Sequence, residues 1–353
     1  MLVKRFPALV FLLFSFSCFA QQPKDFSFLT GSCAHLDRTL EDSTGIYYKG
    51  DTSIFYSMSQ TPSDFLLWLG DNWYLDAGEW TTSEGLKYKA EHNRNANVMK
   101  RLRQRGIPEY AIWDDHDYGY NNANKIYPLK KESRQVFIDT WPDNPSYGEN
   151  GEGIYTSFRY QDVLFILLDD RWWRDDDRKW AYRWFIKPNP NKLMFGRQQM
   201  DWLKRTLLED TTASFKIIVN GSQVLNPLAK GDCLVHFPVE YGELLEFIDA
   251  NKISGVLFLS GDRHFSEIIE LKRKNYPLFD ITVSPFTSDI DRPRGRERRN
   301  FFRIPGTLLL TKNFAQVSIS GVKDNRKLEV RFFDNRGKKL LDWKVSSVQL
   351  KAK

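Results

Sequence analysis

The sequence predicts an α/β fold that passes into a C-terminal antiparallel β meander. Two features predict it. Apolar runs at 26–29, 65–69, 110–113, 215–219 and 255–259 are each four or five residues long and stop at polar punctuation. Runs of that length, bounded by turn residues, read as strands buried on both faces of a sheet. After 279–283 the pattern changes to alternation over 314–320, 328–334 and 340–345, with turns at 321–325 and 335–337, the signature of a meander.

Taken in order, the 26–29 strand runs into Thr30-Gly31-Ser32-Cys33. A polar stretch follows, with a helix expected near 53–59. The strand 65–69 then stops at Gly70 and displays Asp71 and Tyr74. Residues 84–105 place Leu86, Ala90, Val98 and Leu102 on one side of a solvated helix that Gly106 and Pro108 end. The strand 110–113 leads into Asp114-Asp115-His116-Asp117, and 155–159 with 162–168 reads as a hairpin ending at Asp169-Asp170-Arg171. Residues 172–187 are aromatic and charged without clean period, and read as an insertion covering the site or the substrate. Helices at 198–208 and 241–251 precede the strands 215–219 and 255–259, which end at Asn220-Gly221-Ser222-Gln223 and Ser260-Gly261-Asp262-Arg263-His264. Residues 291–300, DRPRGRERRN, form a basic loop. No repeat or low-complexity linker divides residues 21–353, so one domain is expected.

Residues 1–20 have the layout of a secretory signal: Lys4 and Arg5, an apolar run, and Ala20 before two glutamines. The run is too short for a membrane span, so the expectation is an exported, periplasmic or extracellular chain with no transmembrane segment after cleavage. Cys18 makes a poor lipid-anchor site because Ser15 stands three residues before it. The formal charge of +6 falls by two with Lys4 and Arg5, too mild an excess to call for a stable nucleic-acid complex. Cys33 and Cys233 remain. In an exported protein the default is a disulfide; the alternative is that one thiol is a protected ligand.

One polar strand end is commonplace. Five in one chain, carrying Cys33, Asp71, Tyr74, Asp115, Asp262 and His264, point to a single site at the carboxyl ends of the strands. Half-buried carboxylates beside an imidazole repel and titrate unless a cation compensates them. A shared carboxylate between two donor sets suits two metal ions about 3.5–4 Å apart.

The motifs GSC (31–33), LGDNWY (69–74), WDDHDYG (113–119), LDDRWWR (168–174) and SGDRHFS (260–266) occur together. As a set they resemble the PhoD-like alkaline phosphatases and phosphodiesterases, within the calcineurin-like metallophosphatases. The resemblance implies a four-layer α/β/β/α sandwich and a metal-dependent phosphoester hydrolase using Fe3+ with one or two Ca2+. It implies Asp71 as bridging ligand, with Cys33, Tyr74 and His264 on iron. Asp115 and Asp262 resemble calcium ligands, oxygen donors being what that hard ion prefers, and Asn122 is a further candidate. His116 stands where the family faces the scissile phosphate. Arg171 is a candidate phosphate clamp or, equally, the partner of Asp169 or Asp170, and Gln223 is a weaker ligand candidate. The implied substrates are small phosphoesters of phospholipid or nucleotide type. Two rivals remain: a cysteine hydrolase built on Cys33, and an exported calcium-dependent binding protein without activity.

Overall fold

The computed structural model describes residues 22–37, 39–41, 47–49, 51–176 and 191–353. The leader, Cys18 and residues 177–187 of the expected insertion lie outside these residues.

The chain runs β1 (Phe26–Gly31), β2 (Thr39–Glu41), β3 (Tyr47–Lys49), α1 (Ser53–Gln60), β4 (Phe65–Leu69), α2 (Ser83–Asn95), α3 (Asn97–Arg103), β5 (Glu109–Ile112) and α4 (Asp115–Tyr118). It continues through α5 (Lys130–Thr140), β6 (Thr156–Tyr160), β7 (Val163–Leu167), α6 (Gly196–Glu209), β8 (Phe215–Asn220), α7 (Pro238–Ala250) and β9 (Val256–Ser260). It closes with β10 (Glu267–Leu271), β11 (Leu278–Thr282), β12 (Asn313–Ser320), β13 (Lys327–Asp334) and β14 (Lys339–Ser346).

Two six-stranded mixed sheets result, ordered β14-β13-β12-β1-β4-β5 and β10-β11-β9-β8-β7-β6. In the first, β1, β4 and β5 are parallel, and β12 joins β1 antiparallel. The meander is therefore an extension of the first sheet. In the second, β7, β8, β9 and β11 are parallel, with β6 and β10 antiparallel at the edges.

The sheets stack through aromatic side chains. Phe28 and Phe65 lie parallel at 4.9 Å, and each meets Phe165 of β7 edge-on, at 5.4 and 5.5 Å. Period-two alternation turns Trp68 to the opposite face of β4, where it contacts Phe55 of α1 and Trp141. Helices α1 and α3 pack together there, as do α2 and α5, while α6 and α7 pack in the crossovers of the second sheet. The architecture is the four-layer α/β/β/α sandwich with its C-terminal antiparallel strands.

Two local expectations are corrected, and one strand goes unanticipated. The single helix over 84–105 is two helices, because Ala96 is extended (φ −57°, ψ 141°) and lets α2 pack on α5 while α3 packs on α1. Strand β10, EIIEL, escaped periodicity because its first glutamate is taken up by tertiary partners: Glu267 is buried and bonded to Gln223 and Arg303. Finally, Trp172 is 3 % exposed, with Lys130 Nζ 4.3 Å above its ring, so this part of the expected insertion is core.

Candidate metal centre

Parallel strands present their carboxyl ends along one edge, and here the two sheets bring those edges into contact. A Cβ on Gly261, at the end of β9, would stand 2.6 Å from Leu69 O and 2.7 Å from Ser32 Cβ, at the ends of β4 and β1. A Cβ on Gly70 would stand 2.8 Å from Asp114 Cβ, and Gly70 also has φ +89°. Only glycine meets both demands. The glycines of the sequence motifs are thus the contact points that gather strand ends from both sheets.

The residues that follow them are held in unusual backbone. Among the described residues, eight non-glycine positions have positive φ, and five belong to the predicted site: Cys33 (60°), Asp71 (51°), Asn122 (60°), Asp262 (65°) and His264 (55°). Each such conformation costs on the order of 1–3 kcal/mol and persists where the surroundings over-determine it, typically at functional sites.

Two donor groups emerge. Cys33, Asp71 and His264 each bring a ligand atom within 4.8 Å of the others, and so do Asp71, Asp115 and His116. Asp71 belongs to both. Its Oδ2 lies 3.6 Å from Cys33 Sγ and 3.1 Å from Tyr74 Oη, and Tyr74 Oη lies 3.2 Å from His264 Nε2. Its Oδ1 accepts from the backbone N–H of His116 at 3.3 Å. Tyr74 itself is sandwiched between His35, stacked at 4.5 Å, and His116, at 4.2 Å.

The DDHD cluster divides its labour. Asp114 and Asp117 form a capping box on α4, with Asp114 accepting from Asp115 N–H at 2.9 Å and Asp117 from Asp114 N–H at 2.9 Å. That turn points Asp115 and His116 at Asp71. Asp115 Oδ2 in turn accepts from the backbone N–H of Asn122 at 2.6 Å. Asn122 is exposed, and it is its backbone that makes this contact.

Asp262 follows Gly261 against the same strand ends and stands outside both groups. Burial, reinforced by the carboxylates of Asp232 and Asp115, raises its pKa to about 7. Asp71 is likewise pushed well above the carboxylate range by burial and by Asp115 and Cys33, and burial lifts the Cys33 thiol to about 11. Burial lowers the His116 pKa, against the pull of Asp115.

These surroundings fit metal ions. Thiol, carboxylate, phenol and imidazole converge, and their negative forms are costly together unless a cation offsets them. His116 Nδ1 and Asp114 Oδ2 are buried with no hydrogen-bond partner. Sulfur, phenolate and imidazole suit a transition metal, whereas Asp71 and Asp115 on the other side offer carboxylate oxygen.

Arg171 has no exposed surface. Its Nε donates to Asp114 at 2.6 Å, its Nη2 to Asp232 at 2.9 Å, and Asp170 lies 3.6 Å away. Asp169 accepts the backbone N–H of Arg171 instead. This is the ion-pair arrangement, with Asp114 and Asp232 as the main partners. Gln223 is also committed, accepting from Arg263 Nη1 and donating to Glu267 and Thr282. Cys33 and Cys233 are both free and buried, so they form no disulfide with each other.

Sequence reasoning missed Asp232 and Ser284. Asp232 lies in irregular chain before a 3-10 turn and has no strand-end signature; it is recognised by Arg171 and by Arg174 Nη2 at 3.0 Å. Ser284 Oγ donates to Cys33 Sγ at 3.2 Å and accepts from His264 N–H at 2.9 Å, a role a lone serine cannot announce.

A four-layer sandwich with two donor groups sharing one carboxylate at the strand ends is a metallophosphatase-like arrangement. The family follows directly: the profile of the PhoD-like phosphatases matches residues 28–351, and the chain belongs to that family. Alkaline phosphatase D of Bacillus subtilis (strain 168) is 25% identical over 250 residues, covering 63% of this chain. This chain spans 41% of that relative's length. A solved PhoD structure superposes with TM-score 0.69 at 19% identity, over 90% of this chain and 72% of the other. A purple acid phosphatase from yellow lupin (Lupinus luteus) seeds has TM-score 0.60 at 12% identity, over 92% of this chain and 54% of the other. Among the described residues, no helix is long and apolar enough to cross a membrane.

Proposed function

We propose that this chain is an exported, metal-dependent phosphoester hydrolase. The observation that supports it best is Asp71, one buried carboxylate common to two donor groups. In this reading Cys33, Asp71, Tyr74 and His264 hold Fe3+, and Asp71, Asp115 and Asp262 hold Ca2+. Asn122 is kept as a weaker calcium candidate that would need its side chain to turn inward. Ions held there supply Lewis acidity and electrostatic stabilisation of a phosphoryl transition state.

The chain's own residues supply the rest. His116 lies beside Asp71 and Asp115, and its burial favours the neutral imidazole. The negative charge of a bound phosphoester favours the imidazolium, so His116 takes up a proton from solvent and passes it to the leaving oxygen. Arg171 is assigned a positioning role, holding Asp114, whose cap directs Asp115 and His116. The cysteine-hydrolase alternative is disfavoured by a Cys33 thiol with no exposed surface and a raised pKa of about 11.

Metal analysis of the purified chain, with assays on para-nitrophenyl phosphate and its bis ester, tests the proposal. Iron, calcium and hydrolysis of either ester are expected. Calcium without iron and without hydrolysis would favour the binding-protein reading. Full activity in metal-free protein, lost on iodoacetamide treatment, would favour the cysteine hydrolase.

A further inference from the structure

The basic segment 291–300 is not an ordinary solvated loop. Its glutamate, Glu297, is buried and accepts two contacts from Arg263 Nη2, at 2.8 and 3.0 Å, while all five of its arginines are exposed. Arg294 pairs with Asp291 at 2.9 Å; Arg292, Arg296, Arg298 and Arg299 make no ion pair with a described residue. The segment is also tied by backbone to the site-bearing stretch after β9. Asp291 N–H donates to His264 O at 3.0 Å, and Ser266 and Leu309 exchange bonds of 3.1 and 2.8 Å.

The same region carries exposed apolar side chains. Phe301 is 77 % exposed, Ile290 43 % and Leu310 36 %. Ile290 and Leu310 stand next to the residues bonded to His264 and Ser266, so they flank the strand end that carries Asp262 and His264. Phe301 follows Arg299 by two positions and packs only loosely, its ring tilted against Phe302 at 4.3 Å.

We infer that residues 290–310 form a docking surface for an anionic lipid membrane beside the metal centre. Unpaired guanidinium groups match the negative surface of such a membrane, and neighbouring exposed apolar side chains enter the headgroup boundary. A soluble polyanion would use the arginines but would have no need of Phe301, Ile290 and Leu310 in water. The inference does not depend on the hydrolase reading, because docking is measured without turnover.

The test is co-sedimentation of the full chain with vesicles of phosphatidylcholine alone and of phosphatidylcholine mixed with phosphatidylglycerol, at low and high salt. Binding to the anionic vesicles only, weakened by salt, is expected. Arg296→Ala/Arg298→Ala/Arg299→Ala should weaken it roughly a hundredfold, since each arginine at an anionic surface contributes about a fivefold factor. Phe301→Ser should weaken it while leaving the salt dependence unchanged. An unchanged thermal unfolding midpoint in each variant separates docking from misfolding. The inference is overturned if the wild type does not sediment with anionic vesicles, or if the triple variant binds them equally well. Inorganic polyphosphate binding that needs the arginines but ignores Phe301→Ser, without vesicle binding, would assign the surface to a soluble polyanion instead.

Discussion

Arg171 donates its Nε–H to Asp114 Oδ1 at 2.6 Å, and neither side chain touches solvent. The pair joins the end of β7 to the cap of α4, and Asp232 adds a second carboxylate to the same guanidinium at 2.9 Å. Breaking a buried pair leaves an uncompensated charge, which costs about 3–5 kcal/mol. Arg171→Ala should therefore lower denaturant stability by about that amount. Arg171→Lys, lacking the forked geometry, should recover only part of it. Unchanged stability with a raised KM would instead make Arg171 a substrate contact.

Asp71 is the side chain on which both donor groups depend. Asp71→Asn keeps the shape and removes the charge, and it should lose metal from both positions together. A fall in kcat/KM of at least about 10²–10³-fold is expected, in line with removal of one transition-state stabiliser. Elemental analysis of the variant showing one metal fully retained would break the shared-ligand assignment.

Tyr74 and Cys33 flank Asp71 Oδ2 at 3.1 and 3.6 Å. A ferric phenolate absorbs visible light, so Tyr74→Phe should bleach the protein. Cys33→Ala should lower iron content. Visible spectra at matched iron content decide between them: colour retained in Tyr74→Phe removes the phenolate from iron.

Gly261 seats the end of β9 against the ends of β4 and β1 in the other sheet, and Gly70 seats the end of β4 against Asp114. Gly261→Ala meets backbone and side-chain atoms at 2.6–2.8 Å, and Gly70→Ala adds a left-handed φ of +89°. Each should cost about 1–3 kcal/mol, read as a lower thermal midpoint, with metal affinity falling as well. A Gly106→Ala control has an equally left-handed φ (+64°) but open space around its Cβ, so it isolates the conformational cost.

Glu243 on α7 accepts from Arg197 at 2.6 and 2.8 Å and pairs with Lys204, both on α6. Hydrogen bonding to Arg197, opposed by burial and helped by Lys204, holds its carboxyl down to about 2. A depressed carboxyl contributes stability above its unfolded value near ~4.5 that is lost as pH falls toward ~2. Glu243→Gln should thus be less stable at neutral pH, by at most about 1 kcal/mol because the pair is solvent-screened. The difference should vanish near pH ~2; a difference that persists there would show that packing, not charge, holds the helices.

Much of this was legible along the chain. Strand β4 lies at 65–69 as its apolar run indicated, because a strand buried on both faces needs no polar alternation and is bounded by the glycine that ends it. The motif order also anticipated that Cys33, Asp71 and His264 would meet, since parallel strands align their carboxyl ends. Asp115 was singled out among Asp114, Asp115 and Asp117 by the family resemblance, but the physical reason for that choice was not legible along the chain. All three are buried, and the division follows from a capping box only a folded turn can form.

By itself the sequence determined the site-bearing strands, the polar punctuation at their ends and the donor types displayed there, because backbone periodicity and turn chemistry are local. Only the tertiary structure decided that Arg171 is a buried partner of Asp114 and Asp232, that Gln223 serves Arg263, and that Asp232 and Ser284 stand behind the site. Those choices depend on which groups share a low-dielectric interior, and burial is a property of the packed sheets that no short stretch of residues contains.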